Sequence, residues 1–198
     1  MLKNKKQEKK QRSLLIVLSG PSGSGKGAIV EKLLEKDNTL ELSVSCTTRR
    51  PRAHEKDGVN YFFKNREEFD NMVVSNAFLE HANVFDCSYG TPKDYVLKKL
   101  EEGKNVILEI DVQGAMQVKK NYENAVMIFI LPPSKEELER RLRGRGTETE
   151  LQIRKRIGKA ESEMEMAKEY GHCVVNDDLD AAVDEVLQII EKEKNYSF

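Results

Sequence analysis

A five-residue apolar run, Leu14-Leu-Ile-Val-Leu18, leads directly into Gly20-Pro-Ser-Gly-Ser-Gly-Lys26. The run suits a strand buried on both faces, and residues 26–36 continue as a helix with Ile29, Val30, Leu33 and Leu34 on one side. A glycine-rich loop between a buried strand and a helix is the setting of a phosphate-binding P-loop. Glycines let consecutive backbone N–H groups wrap a phosphate, and the helix adds its positive N-terminal end. Gly20, Pro21, Ser22, Gly23, Ser24, Gly25, Lys26 and Gly27 are therefore the candidate triphosphate contacts, with Lys26 the point charge. The pattern has Ser or Thr after the lysine, where its hydroxyl ligates magnesium; this chain has Gly27. Its magnesium then depends mainly on phosphate oxygens and water, a coordination magnesium favours.

The same alternation runs on. Strands are predicted near Leu42–Cys46, at Val106–Ile110, at Val126–Leu131 and at Cys173–Val175. Between the last two, Ser134 and Glu137 form a capping-box pattern that starts a helix. A further helix begins near Thr149, with Ile153, Ile157, Ala160, Met164 and Ala167 at helical spacing, and a last one covers 179–194. Strands separated by helices of this length imply an α/β fold, a doubly wound parallel sheet covered on both faces. The interval 47–92 breaks the rhythm: it is polar, carries Tyr61-Phe62-Phe63 and Tyr89, and alternates like small antiparallel strands. The expected organisation is a leader over 1–12, a core over 13–46, 93–134 and 160–198, an insertion over 47–92 and a helical lid over about 135–159.

In 198 residues of net charge −1 there is no global pull toward nucleic acid or anionic lipid, so neither is expected as a partner, and any polyanion site must be built locally. Three scattered cysteines, Cys46, Cys87 and Cys173, indicate neither a disulfide framework nor a zinc site, which points to the cytoplasm. The basic leader before Leu14 has the charge of a signal peptide. The apolar run is too short for one, and no stretch approaches the roughly 20 apolar residues of a membrane span.

Ser43-Val-Ser-Cys-Thr-Thr-Arg49-Arg-Pro-Arg52 places Arg49 and Arg52 three apart, and planar guanidinium forks bind phosphate oxygens in pairs. Tyr61 and Tyr89 each offer a hydroxyl to the same anion. Glu80 sits in Phe78-Leu-Glu-His-Ala82, a partly apolar setting. Together with Tyr89-Gly-Thr91, Ile107-Leu-Glu-Ile-Asp111-Val-Gln-Gly114, Arg145-Gly-Thr-Glu148 and Val175-Asn-Asp-Asp178, these strings resemble the guanylate kinase family over roughly residues 14–190.

That resemblance implies a P-loop NTPase-type core with an inserted nucleoside-monophosphate-binding subdomain and a lid, transferring the γ-phosphoryl group of ATP to GMP in purine metabolism. It implies that Arg49, Arg52, Tyr61 and Tyr89 grip the GMP phosphate, and that Glu80 reads guanine with Ser45, Gly90, Thr91 and Asp111 as helpers. One carboxylate accepts from both N1–H and the 2-amino group of guanine, whereas adenine presents a lone pair at N1. The resemblance also makes Lys26, Arg49, Arg141, Arg145 and Arg156 catalytic, the last three reaching ATP and the transferring phosphoryl group, and puts Asn176 near adenine; a turn or helix cap is the other reading of Asn176. Mg2+ enters with ATP, and Asp111 contacts it through water, serves guanine, or does both. No general base is required, since the acceptor is already an ionised phosphate oxygen. The sequence leaves open dGMP as an acceptor and the choice between monomer and homodimer. Two rivals stand beside this reading: a non-catalytic module that binds phosphopeptides, and a kinase for another acceptor.

Overall fold

A computed structural model describes residues 12–84, 86–144 and 150–195. Strand β1 (Leu15–Ser19) leads through the loop into α1 (Lys26–Lys36), followed by β2 (Leu40–Leu42), β3 (Cys46–Thr47) and β4 (Phe62–Phe63). Next come α2 (Arg66–Val74), β5 (Phe78–Val84), β6 (Cys87–Pro92), α3 (Lys93–Glu101), β7 (Asn105–Glu109) and α4 (Val112–Asn121). The chain closes with β8 (Val126–Leu131), α5 (Lys135–Gly144), α6 (Glu150–Met164), β9 (His172–Val175) and α7 (Leu179–Asn195).

Five parallel strands form one sheet in the order β2-β7-β1-β8-β9. Strand β1 lies at its centre, which is why a nearly continuous apolar run belongs there: all five of its residues, Ser19 included, are buried. Ile16 and Leu18 pack on one face with Ile29, Leu33, Val183 and Val186 of α1 and α7. Leu15 and Val17 pack on the other with Val96, Val112, Ala115 and Val118 of α3 and α4. The sheet is thus doubly wound, as the alternation predicts.

A second, four-stranded sheet has the order β4-β3-β6-β5. The strand predicted over 42–46 is split between the two sheets. Ser43 N–H still bonds to Ile107 O, but Ser45 O accepts from Phe62 and Cys46 pairs with Gly90, so the chain changes sheets in three residues. The pairing is not all antiparallel either: β3 and β4 run parallel. The sequence reading did not include α2, although Asn65 and Glu68 form a complete capping box at its start. At α5 the box is half made. Ser134 Oγ accepts from Glu137 N–H at 3.1 Å, while the Glu137 carboxylate goes to Arg140 and Arg141 instead.

The loop after β1 is tightly fitted. Gly20 has φ +145°, and a Cβ there would lie 2.3 Å from the backbone oxygen of Ile130. Gly20→Ala should therefore cost about 3–5 kcal/mol and lower the Tm by about 10 °C. A thermal melt followed by circular dichroism measures it, and a Tm within ~2 °C of the parent protein refutes the close fit.

Candidate functional site

Open α/β sheets bind ligands at the carboxyl ends of their strands. At that end β1 delivers Gly20, β7 delivers Glu109 and β9 delivers Asn176. A cleft of about 460 Å³ lies at the opposite end, among Arg12, Lys119, Tyr170 and His172, and holds none of the predicted site residues.

The loop is closed on itself by Lys26, whose Nζ donates to Gly20 O at 2.6 Å and to Pro21 O at 3.1 Å. Gly25 stands in the left-handed region at φ +90° as the N-cap of α1, and a Cβ there would meet Asn176 Nδ2 at 2.2 Å. Asn176 explains the closeness. It is 5 % exposed, and its Nδ2 donates to Ser24 O at 2.8 Å. The helix cap at this strand exit is Asp178, whose Oδ1 accepts from Ala181 N–H. Asn176 thus braces the loop backbone, a partner that the sequence offered no means of seeing.

Two arginines reach the same loop from the two helices after β8. Arg141 Nη2 donates to Asn176 O at 2.9 Å and Nη1 approaches Ser24 O at 3.5 Å, while its Nε is held by Glu137 Oε1 at 2.7 Å. Arg156 Nη1 donates to Ser22 Oγ at 2.9 Å. Arg140 and Arg141 hold the Glu137 carboxyl down at about 2. Arg143 pairs with Glu139 and Glu150 and Arg154 with Glu150, ordinary helix-surface pairs. Arg145 lies outside the described residues.

Across the cleft, Arg49 is held by both oxygens of Glu55, at 2.7 and 3.0 Å, with its guanidinium 5.5 Å from the Tyr61 ring centroid. Arg49 first, then the Arg52 N–H, lower the Glu55 carboxyl to about 2. Glu55 therefore stays ionised and fixes the orientation of the Arg49 fork, a function the sequence reading did not assign to it. The Tyr61 and Tyr89 rings meet edge-on at 6.0 Å. Arg52 is exposed on the same turn, where its N–H donates to Glu55.

Glu80 is 7 % exposed. Its Oε1 accepts from Thr91 Oγ1 at 2.6 Å, and Thr91 itself is fully buried. Burial raises the Glu80 carboxyl and Asp111 adds to that, opposed by the Thr91 hydrogen bond. Gly90 packs tightly, with Phe78 2.9 Å from where a Cβ would stand. A cavity of about 150 Å³ between the two sheets is lined by Ser45, Tyr61, Thr91 and Glu109, among others.

The strand predicted over Val106–Ile110 runs over Asn105–Glu109. Asp111 is the N-cap of α4, its Oδ1 accepting from Gly114 N–H at 2.9 Å. Glu109 stands beside the first turn of α1: a Cβ on Gly27 would stand 3.6 Å from its Oε1. Glu109 opens onto the cleft, yet enough protein crowds it to raise its carboxyl, against the pull of Lys26. Among the described residues no group of three or more His, Cys, Asp or Glu could hold a metal by itself. One carboxylate beside a loop that lacks the usual hydroxyl fits a magnesium ion whose shell is completed by phosphate and water.

Comparison with known proteins agrees on one family. A family model described as guanylate kinase matches residues 12–193. A guanylate kinase of Caldanaerobacter subterraneus subsp. tengcongensis is 55% identical over 185 residues, covering 93% of this chain and 90% of its own. One of Clostridioides difficile is 49% identical with the same coverage. The crystal structure of guanylate kinase from Anaplasma phagocytophilum superposes with a TM-score of 0.74 at 33% identity, covering 94% of this chain and 89% of its own.

Proposed function

Because this chain belongs to the guanylate kinase family, we propose that the P-loop cluster holds its ATP and the Glu80 and Arg49 clusters hold its GMP. The chain transfers the terminal phosphoryl group of ATP to GMP, giving ADP and GDP. One juxtaposition supports the division of labour: a loop braced by Lys26, Arg141 and Arg156 stands at the same sheet end as a buried carboxylate and an arginine–tyrosine cluster. Residues 47–92 are then the GMP-binding insertion and 135–159 the lid, with Arg145 placed in the lid by its sequence.

Phosphoryl transfer asks a protein to position its reactants and neutralise charge. Lys26, Arg141 and Arg156 supply positive charge at the loop. Arg49, oriented by Glu55, and Arg52, Tyr61 and Tyr89 hold the acceptor phosphate in line. Glu80, with Thr91 occupying one of its oxygens, keeps the other for guanine, and Ser45, Gly90 and Asp111 shape that pocket. Gly20, Pro21, Ser22, Gly23, Ser24, Gly25 and Gly27 line the triphosphate, while Asn176 acts through the loop rather than by reading adenine. Magnesium would be held by Glu109 together with phosphate oxygens, where it would neutralise charge on the β- and γ-phosphates. The free thiols of Cys46, Cys87 and Cys173 suit the cytoplasmic site of action that nucleotide substrates imply. Among the described residues no helix is long and apolar enough to cross a membrane.

Purified protein with ATP and magnesium, offered GMP, dGMP, AMP or UMP, tests the reading by chromatography of the products. GDP should form with GMP; absence of GDP, or equal conversion of AMP, overturns it. The pH dependence is a second check. Guanine needs the ionised form of Glu80, and burial raises its carboxyl above the ordinary 4.5. The KM for GMP should therefore climb as pH falls through that raised value, approaching about tenfold per pH unit. Fold stability moves the other way, because a carboxyl raised in the folded state favours folding as it becomes protonated. A KM for GMP that is flat down to the ordinary carboxylate range contradicts the assignment.

A further inference from the structure

Strand β5 carries Glu80 between Leu79 and His81, and helix α4 holds the peptide groups on both sides of it. Gln117 Oε1 accepts from His81 N–H at 3.1 Å, and Gln117 Nε2 donates to His81 O at 3.0 Å. One helical turn later, Asn121 Nδ2 donates to Leu79 O at 2.8 Å. One turn earlier, a Cβ on Gly114 would lie 2.9 Å from Glu80 Oε2, so the carboxylate fits against α4 because position 114 has no side chain. Residues 114, 117 and 121 share one face of the helix.

The geometry constrains one atom pair in particular. Leu79 O belongs to the planar peptide before the Glu80 Cα, and His81 N–H belongs to the planar peptide after it. Fixing both planes fixes the direction of the Glu80 Cα–Cβ bond. The Thr91 hydroxyl and the Gly114 backbone then set the end of the side chain.

We propose that Gln117 is a positioning residue for guanine recognition, holding the peptide after Glu80 so that the carboxylate faces the base. The inference rests on the reading of Glu80 as the group that accepts from guanine. Gln117 itself is only half-buried, and its side-chain amide bonds to both backbone groups of His81. Misplacing a binding group by about 1 Å can cost on the order of 10²-fold.

The test compares Gln117→Met, which keeps the length and loses both hydrogen bonds, with Gln117→Glu, which keeps the acceptor for His81 N–H. Each is assayed with GMP and with IMP, which retains N1–H but lacks the 2-amino group. In Gln117→Met, kcat/KM for GMP should fall about 10- to 100-fold, mainly through KM, with the KM for ATP unchanged and the GMP-to-IMP ratio reduced. Gln117→Glu should recover part of that ratio. A merely structural role would lower the active fraction for both acceptors alike and leave the ratio intact, and that result overturns the proposal. Glu80→Gln in parallel separates the two readings. If it collapses the ratio while Gln117→Met does not, the positioning role is wrong and Glu80 still reads guanine; if it leaves the ratio intact, both are wrong. Should Gln117→Met fail to fold, Gln117→Leu, which also removes both hydrogen bonds, carries the same comparison.

Discussion

Replacing Lys26 with alanine should lower turnover at saturating ATP and GMP by about 10³- to 10⁵-fold, the scale of other single cationic groups in phosphoryl transfer. The position of the ammonium is the reason. It closes the loop by donating to Gly20 O and Pro21 O, at the N-terminal end of α1, where the helix already favours anions. The core does not depend on it: Lys26 is half-buried, and the packing of α1 is carried by Ile29, Val30 and Leu33. Circular dichroism should therefore show an intact fold beside the lost activity. Steady-state rates by a coupled ADP assay decide the matter, and turnover within about tenfold of the parent protein removes Lys26 from the chemistry.

The second large effect is one of selectivity. Glu80→Gln keeps the side-chain volume and an oxygen for Thr91, but it turns the second oxygen into a donor facing the two donors of guanine. A site built on such hydrogen bonds loses on the order of 10⁴-fold when a buried polar partner is mismatched. We therefore expect kcat/KM for GMP to fall by about 10³- to 10⁴-fold with the KM for ATP unchanged, and the preference for GMP over AMP to shrink accordingly. Measuring kcat/KM for GMP and AMP with both proteins gives the answer. An unaltered preference would mean that another group reads the base.

How much of this was legible beforehand follows from the range of the interactions. The loop and its flanking elements were readable to within a residue, because a continuous apolar run, a glycine pattern and a helical face are all local signals. Strand β8 was equally clear for the same reason. The strand over 42–46 was misread because its division depends on Ile107, Phe62 and Gly90, partners far along the chain. Motif resemblance named Glu80, Thr91, Arg49, Tyr61 and Tyr89, and the fold brings them together as two clusters. What the motifs do not encode is support. Asn176 meets Ser24 across 152 residues, Glu55 holds the Arg49 guanidinium, and Glu109 stands beside Gly27. A polar residue in mid-helix such as Gln117 looks like any solvated position until the strand beside it is known.

The hold of α4 on β5 has a consequence for the molecule in a crowded solution. Strand β5 is the last in its sheet, and an unsatisfied margin there would invite another polypeptide to add itself as the next strand. Amide side chains already occupy the carbonyl of Leu79 and both backbone groups of His81, so a visiting chain finds those three groups taken. The same contacts that hold the peptides around Glu80 thus leave an added strand no free hydrogen-bonding group at Leu79 O or His81.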